Sequence, residues 1–288
     1  MAAKKTPKKA SRKAAAKPTA PARKSAKKTA KSAAGAKPKV AVKPAGKEAS
    51  RPRKSGLMPT ELVLPTYRKL RERYPDAHCE LDHENAFQLI VATVLSAQST
   101  DVMVNKITPD LFRRWSTPKA LASADPAEVE QALSKIGMYR QKTKNIVGLA
   151  KKLLADHGGE VPGTLAELVL LPGVGRKTAN VVLGVAFGTP EGVVVDTHVQ
   201  RISQRLGWTK QAEPPEIEGD LMALFPRAEW DMLSHTLIFH GRRTCSARKP
   251  ACAACPVSTE CPSAFDAENI GRKAPRLREP ATKRGLKT

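Results

Sequence analysis

The sequence predicts an all-α fold for the chain beyond its basic N-terminal segment. Three observations support this prediction: apolar residues recur at helical spacing, capping residues precede several of these stretches, and only one short run has the composition of a strand. That run, Val193-Val194-Val195, has no second strand-like run with which to pair. We therefore interpret it as a buried, extended connection.

The first 55 residues are predicted to be disordered. They contain 19 Lys or Arg residues and one acid, Glu48, so they carry +18 of the net charge of +23. Their Ala, Lys and Pro repeats contain no aromatic residue and cannot bury enough apolar surface to fold. A mobile polycation binds nucleic acid through counterion release, with no sequence preference. A solubility or targeting segment is the alternative interpretation. A second basic segment covers residues 272–288.

The remaining length suits one or two domains with a sizeable core. No apolar run approaches the roughly 20 residues that cross a bilayer, and no apolar stretch of a secretory signal follows the basic N-terminus. The basic repeats of the tail suit a bacterial nucleoid and a nucleus equally well. Because the core carries no added domains, we expect a protein of the bacterial cytoplasm that associates with the nucleoid and makes no membrane contact.

Five helices are predicted before residue 160. Pro65 is expected to delay the first helix, and Pro109 is expected to bend or break the third. The fifth helix is amphipathic, with Lys142, Lys144, Lys151 and Lys152 on its polar side. The predicted helices run from Thr60 to about Arg73, from Ala86 to Ala97 after a cap at Asn85, from Val102 to about Trp115 after a cap at Asp101 or Thr100, from Pro126 to about Lys135, and from Thr143 to His157.

A helix–hairpin–helix is predicted around Pro172. A mostly buried helix from Thr164 to Leu171 is stopped by Pro172-Gly173, and Gly175 precedes a second helix from Arg176 to Phe187. Such a turn exposes backbone N–H groups at a helix N-terminus, where a DNA phosphate can bind without a base being read. An ordinary connection between two helices is the alternative. Three later helices are predicted at Val199 to Leu206, Glu216 to Phe225 and Trp230 to Gly241.

Four cysteines form the strongest chemical signal. Cys245, Cys252, Cys255 and Cys261 follow the spacing C-x6-C-x2-C-x5-C, which favours a metal site over disulfides in a chain without secretory features. One C-x2-C pair flanked by longer loops suits a [4Fe–4S] cluster better than a zinc site with two such pairs. Zinc and disulfides remain alternatives. Arg248 and Lys249, between the first two cysteines, are candidate phosphate contacts or a solvated basic loop.

Lys177 and Asp196 are candidate catalytic residues. Lys177 lies in the first turn of the second hairpin helix, where the helix dipole and partial desolvation favour a neutral, nucleophilic amine. Asp196 follows the three valines and precedes a helix. Its carboxylate could stabilise positive charge at an acetal-like carbon and move protons. The alternatives are that Asp196 only caps its helix and that Lys177 only contacts phosphate.

Three parts of the sequence together resemble the endonuclease III family of DNA glycosylases: Leu171 to Asn180, Val195 to His198 and the cysteine spacing. Leu95 to Asp101 resembles a further signature of that family. The resemblance spans roughly Thr60 to Pro262. It implies a bifunctional base-excision enzyme, a monomer that flips a damaged pyrimidine out of duplex DNA. In this interpretation Lys177 attacks the sugar C1′ and forms a Schiff base, β-elimination nicks the strand 3′ to the lesion, and Asp196 is the catalytic carboxylate.

The resemblance also implies DNA contacts and a domain division. Gln98 matches the residue that fills the hole left by the flipped base, and Met138 stands where the family often has a leucine wedge. The other DNA contacts expected are Gly173, Gly175, Arg176, Thr178, His198, Arg248 and Lys249. The expected division is a tail at 1–57, a [4Fe–4S] domain at 58–78 and 190–265, a helical barrel at 79–189 and a basic tail at 266–288.

Three other functions fit less of the sequence. An adenine-mismatch glycosylase of the same superfamily would generally lack Lys177 and have an extra C-terminal domain. A non-enzymatic DNA-architectural protein would explain the basic tail but leave four motifs unexplained. An iron–sulfur electron carrier would be small and acidic or neutral, in contrast to the charge of +23.

Overall fold

The computed structural model describes residues 56–267 and 270, so the predictions for the two basic tails lie outside the described residues. In the described part of the chain all regular secondary structure is helical, which confirms the all-α prediction. The α-helices there are α1 Thr60–Arg73, α2 Ala86–Leu95, α3 Asp101–Arg114, α4 Pro118–Ala122, α5 Pro126–Leu133, α6 Tyr139–His157, α7 Leu165–Leu168, α8 Arg176–Phe187, α9 Thr197–Arg205, α10 Pro214–Leu224 and α11 Trp230–Arg243.

Two prolines lie inside helices that continue past them. We expected Pro65 to delay α1 and Pro109 to bend or break α3; both helices include their proline, so α1 is not delayed and α3 is not broken. A proline removes a single backbone donor, and buried side chains on both sides of it, such as Val63 and Tyr67 in α1, keep the helix packed. The five-residue α4 was not predicted, because so short an element shows no periodicity.

Side-chain caps fix several helix starts where the sequence placed them. Asn85 accepts the Gln88 N–H at 2.9 Å, and Thr100 accepts the Met103 N–H at 3.3 Å. The start of α6 was predicted wrongly: the helix begins at Tyr139 instead of Thr143, after Met138 in a left-handed conformation. No composition rule predicts that conformation for methionine, since it favours glycine and asparagine.

Buried apolar side chains form two main clusters. The first core comes from α2 to α8 and contains Leu89, Leu149 and Leu183, all fully buried. The second core joins α1 to α9, α10 and α11, and contains Val199 and Leu237. The valines at 193–195 lie buried in an extended segment, as predicted. Helix α8 packs on α2 in the first core and also contacts α11, so it lies at the junction of the two cores.

No helix of residues 56–267 is both long enough and apolar enough to cross a membrane.

Candidate active site

The hairpin has a short first helix and a well-defined turn. Helix α7 has only four residues, and Leu170 is 66% exposed, so the mostly buried helix predicted from Thr164 to Leu171 was wrong. Gly173 adopts φ +80°, and a Cβ there would meet the Asn145 side chain at 2.8 Å. Glycine is therefore required at this turn by its backbone conformation and by the space available.

The N-terminus of α8 offers backbone donors. Gly175 is its N-cap residue and has an extended conformation, and no side chain of the described residues caps this end. The first-turn N–H groups of Arg176, Lys177 and Thr178 therefore keep the positive end of the helix dipole available to an anion. Gly173, Gly175 and Lys177 are exposed, and Thr178 is half-buried. The turn thus has the features expected of a phosphate site.

Lys177 and Asp196 line one cavity of about 120 Å³. The two residues come from different parts of the fold, since Lys177 begins α8 and Asp196 precedes α9. The lining comes from both sides: α2, α3 and α8 contribute from the first core, and the Val194 segment and α11 from the second. The structure brings together the two residues selected from sequence. Lys177 is exposed in the protein alone.

Asp196 is held rigidly. Its Oδ1 accepts the backbone N–H groups of His198 at 2.7 Å and Val199 at 2.8 Å, so it is the N-cap of α9. None of the described residues donates a hydrogen bond to Oδ2. The helix cap and the cavity lining are therefore properties of the same carboxylate, with one oxygen fixed and the other available for chemistry.

Helix α11 supplies polar residues to one wall of the cavity. His235 Nε2 lies 3.4 Å from Asp231 Oδ1, and Arg242 pairs with Asp101 at 2.7 Å and with Glu80. All five residues line the cavity. Sequence reasoning missed this wall, although Asp231, His235 and Arg242 recur at i, i+4 and i+11, a spacing that puts them on one helix face.

Gln98 and Met138 have unusual backbone conformations. Gln98 (φ +54°) and Met138 (φ +59°) are two of the three non-glycine residues with positive φ among the described residues. Both are exposed, Met138 by 55%. Non-glycine residues held in this region commonly belong to functional sites, because the surrounding structure must enforce them.

Two other predicted DNA contacts have protein partners. The Arg176 guanidinium donates to both carboxylate oxygens of Glu218 on α10, with Nε at 3.0 Å from Oε2 and Nη2 at 2.9 Å from Oε1. Hydrogen bonding to Glu218 raises the pKa of Arg176. His198 is half-buried and its Nδ1 lies 3.1 Å from Arg201 Nη2. Burial and the neighbouring Arg201 and Arg242 lower the pKa of His198, although Asp196 opposes that shift.

The four cysteines line one apolar pocket. Cys245, Cys252, Cys255 and Cys261 surround it together with apolar residues that include Ile202 and Val257. Burial raises the pKa of the Cys255 thiol to about 11 and that of Cys261 to about 12. In residues 56–267 and 270, no three Cys, His, Asp or Glu side chains are close enough to hold a single metal ion.

Arg205 is a positively charged neighbour that the sequence did not reveal. It is fully buried, and its Nη1 donates to Cys245 Sγ at 3.2 Å and to the Ser246 carbonyl at 2.8 Å. Its Nη2 donates to the Ala247 carbonyl at 2.9 Å. A buried guanidinium here would offset the negative charge of thiolates. Arg248 and Lys249 project from the same loop and are exposed.

Comparison with known proteins identifies the family. The family model for the HhH-GPD superfamily of base excision DNA repair proteins matches residues 91–227 of the sequence. The chain is 52% identical over 205 residues to endonuclease III of Synechocystis sp., covering 71% of this chain and 92% of the relative. It is 47% identical over 194 residues to endonuclease III of Bacillus subtilis, covering 67% and 88% of the two chains.

Solved structures agree with these relatives. A structure of a non-covalent endonuclease III–DNA complex matches with a TM-score of 0.69 and 42% identity, covering 74% of this chain and 98% of the other. A trapped endonuclease III–DNA covalent intermediate matches with the same TM-score and identity, covering 74% and 99%. The chain belongs to the endonuclease III family and is a base excision repair DNA glycosylase and AP lyase.

Proposed function

We propose that this glycosylase removes oxidised pyrimidines from duplex DNA and then cleaves the strand 3′ to the abasic site by β-elimination. The observation that carries the proposal is the shared cavity of Lys177 and Asp196 between the two cores. A cavity lined by both the Lys177 amine and the Asp196 carboxylate suits an extruded nucleotide, whose sugar carbon must meet both groups.

Lys177 is the proposed nucleophile. The lone pair of Nζ forms a bond to C1′ while the glycosidic bond breaks. The electron pair of the glycosidic bond leaves with the base, which takes up a proton. The sugar ring then opens to a Schiff base, loss of a proton from C2′ follows, and the 3′ phosphate departs. The amine attacks in its neutral form. Because Lys177 is exposed in the protein alone, we expect bound DNA to supply the desolvation that favours this form.

Asp196 is the proposed electrostatic and proton-transfer group. Its Oδ1 is fixed by two backbone N–H groups, so the carboxylate cannot turn away when the cavity fills. Negative charge beside C1′ stabilises the positive charge that develops as the glycosidic bond weakens. Oδ2 then relays protons between the amine and the sugar.

DNA binding is proposed on the surface around this cavity. The hairpin at Gly173 and Gly175 and the first turn of α8, including Arg176 and Thr178, bind backbone phosphates. His198 and the exposed Arg248 and Lys249 add further phosphate contacts. Gln98 fills the space of the extruded base and Met138 enters the stack as an apolar wedge.

The cysteine pocket is proposed to hold a [4Fe–4S] cluster. The residues fit this group, because all four thiols line one apolar pocket and Arg205 provides a compensating positive charge. The cluster would supply covalent crosslinks among the loops between residues 245 and 261. No step at Lys177 requires it, and its role here is structural.

We propose that the enzyme works as a monomer on damaged double-stranded DNA in the bacterial nucleoid. Its curated relatives named above are bacterial proteins. The N-terminal segment with its net charge of +18 increases the residence time on DNA without contributing to lesion recognition.

Borohydride trapping on a duplex with a single thymine glycol tests the proposal. Wild type is expected to give a covalent protein–DNA band, and Lys177→Ala is expected to give none. Lys151→Ala, which changes an exposed lysine of α6, is the matched control and is expected to trap like wild type. Base release without a trapped band would instead show a monofunctional enzyme. Absence of both base release and trapping on oxidised pyrimidines would overturn the proposal.

A further inference from the structure

Lys142 is a buried lysine without an ionic partner among the described residues. The sequence placed it on the polar side of α6, but the residue is only 3% exposed. Its Nζ donates one hydrogen bond, to Ser99 Oγ at 2.8 Å, and none of the ion pairs in the described part of the chain includes it. Burial lowers its pKa. An ammonium in this setting is costly, since one hydroxyl replaces its hydration.

The partner of Lys142 belongs to the turn between α2 and α3. Ser99 follows Gln98, whose φ of +54° is rarely adopted by residues with side chains. The turn has few bonds of its own, among them the Ser99 N–H donating to the Ser96 carbonyl at 3.0 Å. The hydrogen bond from Lys142 therefore connects α6 to the strained, exposed turn between α2 and α3 and anchors that turn.

Lys142 is also connected to Met138. Its backbone N–H donates to the Met138 carbonyl at 3.0 Å, in the first turn of α6. One residue thus contacts the left-handed Met138 through its backbone and the left-handed turn of Gln98 through its side chain. Met138 and Gln98 are the two residues proposed to enter the duplex.

We propose that Lys142 is a positioning residue that holds the Gln98 turn in register with Met138, so that both side chains enter the duplex together. This inference rests on the proposed function. A buried cation contributes little to stability that an apolar side chain of similar size would not supply. The Lys142 Nζ, through its bond to Ser99 Oγ, therefore serves the geometry of the turn.

A duplex with 2-aminopurine opposite a tetrahydrofuran abasic analogue tests the inference with the full chain. Entry of Gln98 changes the stacking of the fluorescent base, so wild type is expected to change its fluorescence on binding. At saturating protein, Lys142→Met and Ser99→Ala are each expected to lose most of this change. Each is also expected to slow single-turnover release of thymine glycol about tenfold, because a small misplacement costs rate. The double variant is expected to be no slower than either single variant, since both remove one contact.

Controls separate positioning from folding. Lys144→Met, which removes an exposed lysine of α6, is expected to match wild type. Lys142→Met is expected to keep or raise the melting temperature; if it unfolds, Ser99→Ala decides the question. The inference would be overturned if Ser99→Ala or folded Lys142→Met gave the same fluorescence change and the same rate as the wild type. It would also be overturned if the wild type bound the duplex without any change in fluorescence. A fluorescence change in wild type without thymine glycol release would overturn only the proposed function.

Discussion

Asp196 Oδ1 accepts the backbone N–H of Val199 at 2.8 Å, and the same side chain lines the cavity shared with Lys177. Asp196 is thus a helix cap whose side chain also lines the cavity, and its catalytic role stays a prediction. The start of α9 fixes the carboxylate at the cavity without the entropy cost of holding a free side chain.

Asp196→Asn is expected to separate the cap from the charge. Asparagine caps a helix about as well as aspartate, so the free energy of unfolding should change by less than about 1 kcal/mol, while single-turnover base release should fall about 100-fold or more. Asp196→Ala is the comparison, and its free energy of unfolding should be about 1 kcal/mol lower than that of Asp196→Asn. Thermal unfolding and single-turnover kinetics check both variants. An Asn variant as fast as wild type would show that the negative charge takes no part in the chemistry.

Gly173→Ala is expected to destabilise the hairpin. Its φ of +80° and the close Asn145 side chain disfavour a Cβ, so the free energy of unfolding should fall by about 1–2 kcal/mol, and binding to duplex DNA should weaken. Gly175→Ala is the matched control, because φ is −96° there and no atom lies within 4 Å of an added Cβ. Denaturant unfolding distinguishes the two variants, and DNA titration is applied to Gly173→Ala, because Gly175 is itself a proposed phosphate contact. Equal losses in both would mean that the left-handed conformation is not what requires glycine.

We expect the free energy of unfolding to decrease as the pH falls, partly because of His198. Burial lowers its pKa in the folded state, whereas the unfolded chain titrates near 6.5. The unfolded state therefore takes up the proton first, and stability that is present above about pH 6.5 is lost as the pH falls towards the folded-state pKa. Between about pH 7.5 and 5.5, the melting temperature of wild type should fall more than that of His198→Gln. Parallel decreases in the two proteins would exclude His198 as a source of the pH dependence.

Metal analysis is expected to give iron and acid-labile sulfide in near-equal amounts, about four of each per chain. Cys255→Ser should lose most of both, because it removes one of the four thiols around the pocket. Cys79→Ser is the matched control, since Cys79 lines the cavity of Lys177 instead of the cysteine pocket. A single zinc per chain without sulfide would contradict the cluster.

The sequence predicted most helices because their signals are local. Asn85, Thr100 and Asp196 cap helices where the capping rules placed them, and α8 spans Arg176 to Phe187 as the glycines at both ends indicated. The failures also have a physical cause. Helix α7 is too short for a periodic pattern, and Pro65 is tolerated because tertiary packing offsets one lost hydrogen bond.

Lys142 shows what periodicity cannot predict. The helical pattern assigns a lysine to the exposed side, and only the neighbouring turn at Ser99 explains its burial. The Arg176–Glu218 pair and the Arg205–Cys245 contact likewise join residues 42 and 40 positions apart. Such pairings depend on how helices pack, which no local rule encodes.

The sequence by itself determined the helical fold class, the hairpin, the four clustered thiols and the identity of Lys177 and Asp196 as candidates, because capping, glycine and cysteine spacing act over a few residues. Only the tertiary structure decided that Lys177 and Asp196 share a cavity, that α11 supplies its other wall and that Lys142 anchors the Gln98 turn. These relationships arise from packing two cores against each other, and the distances that matter join residues far apart in the chain.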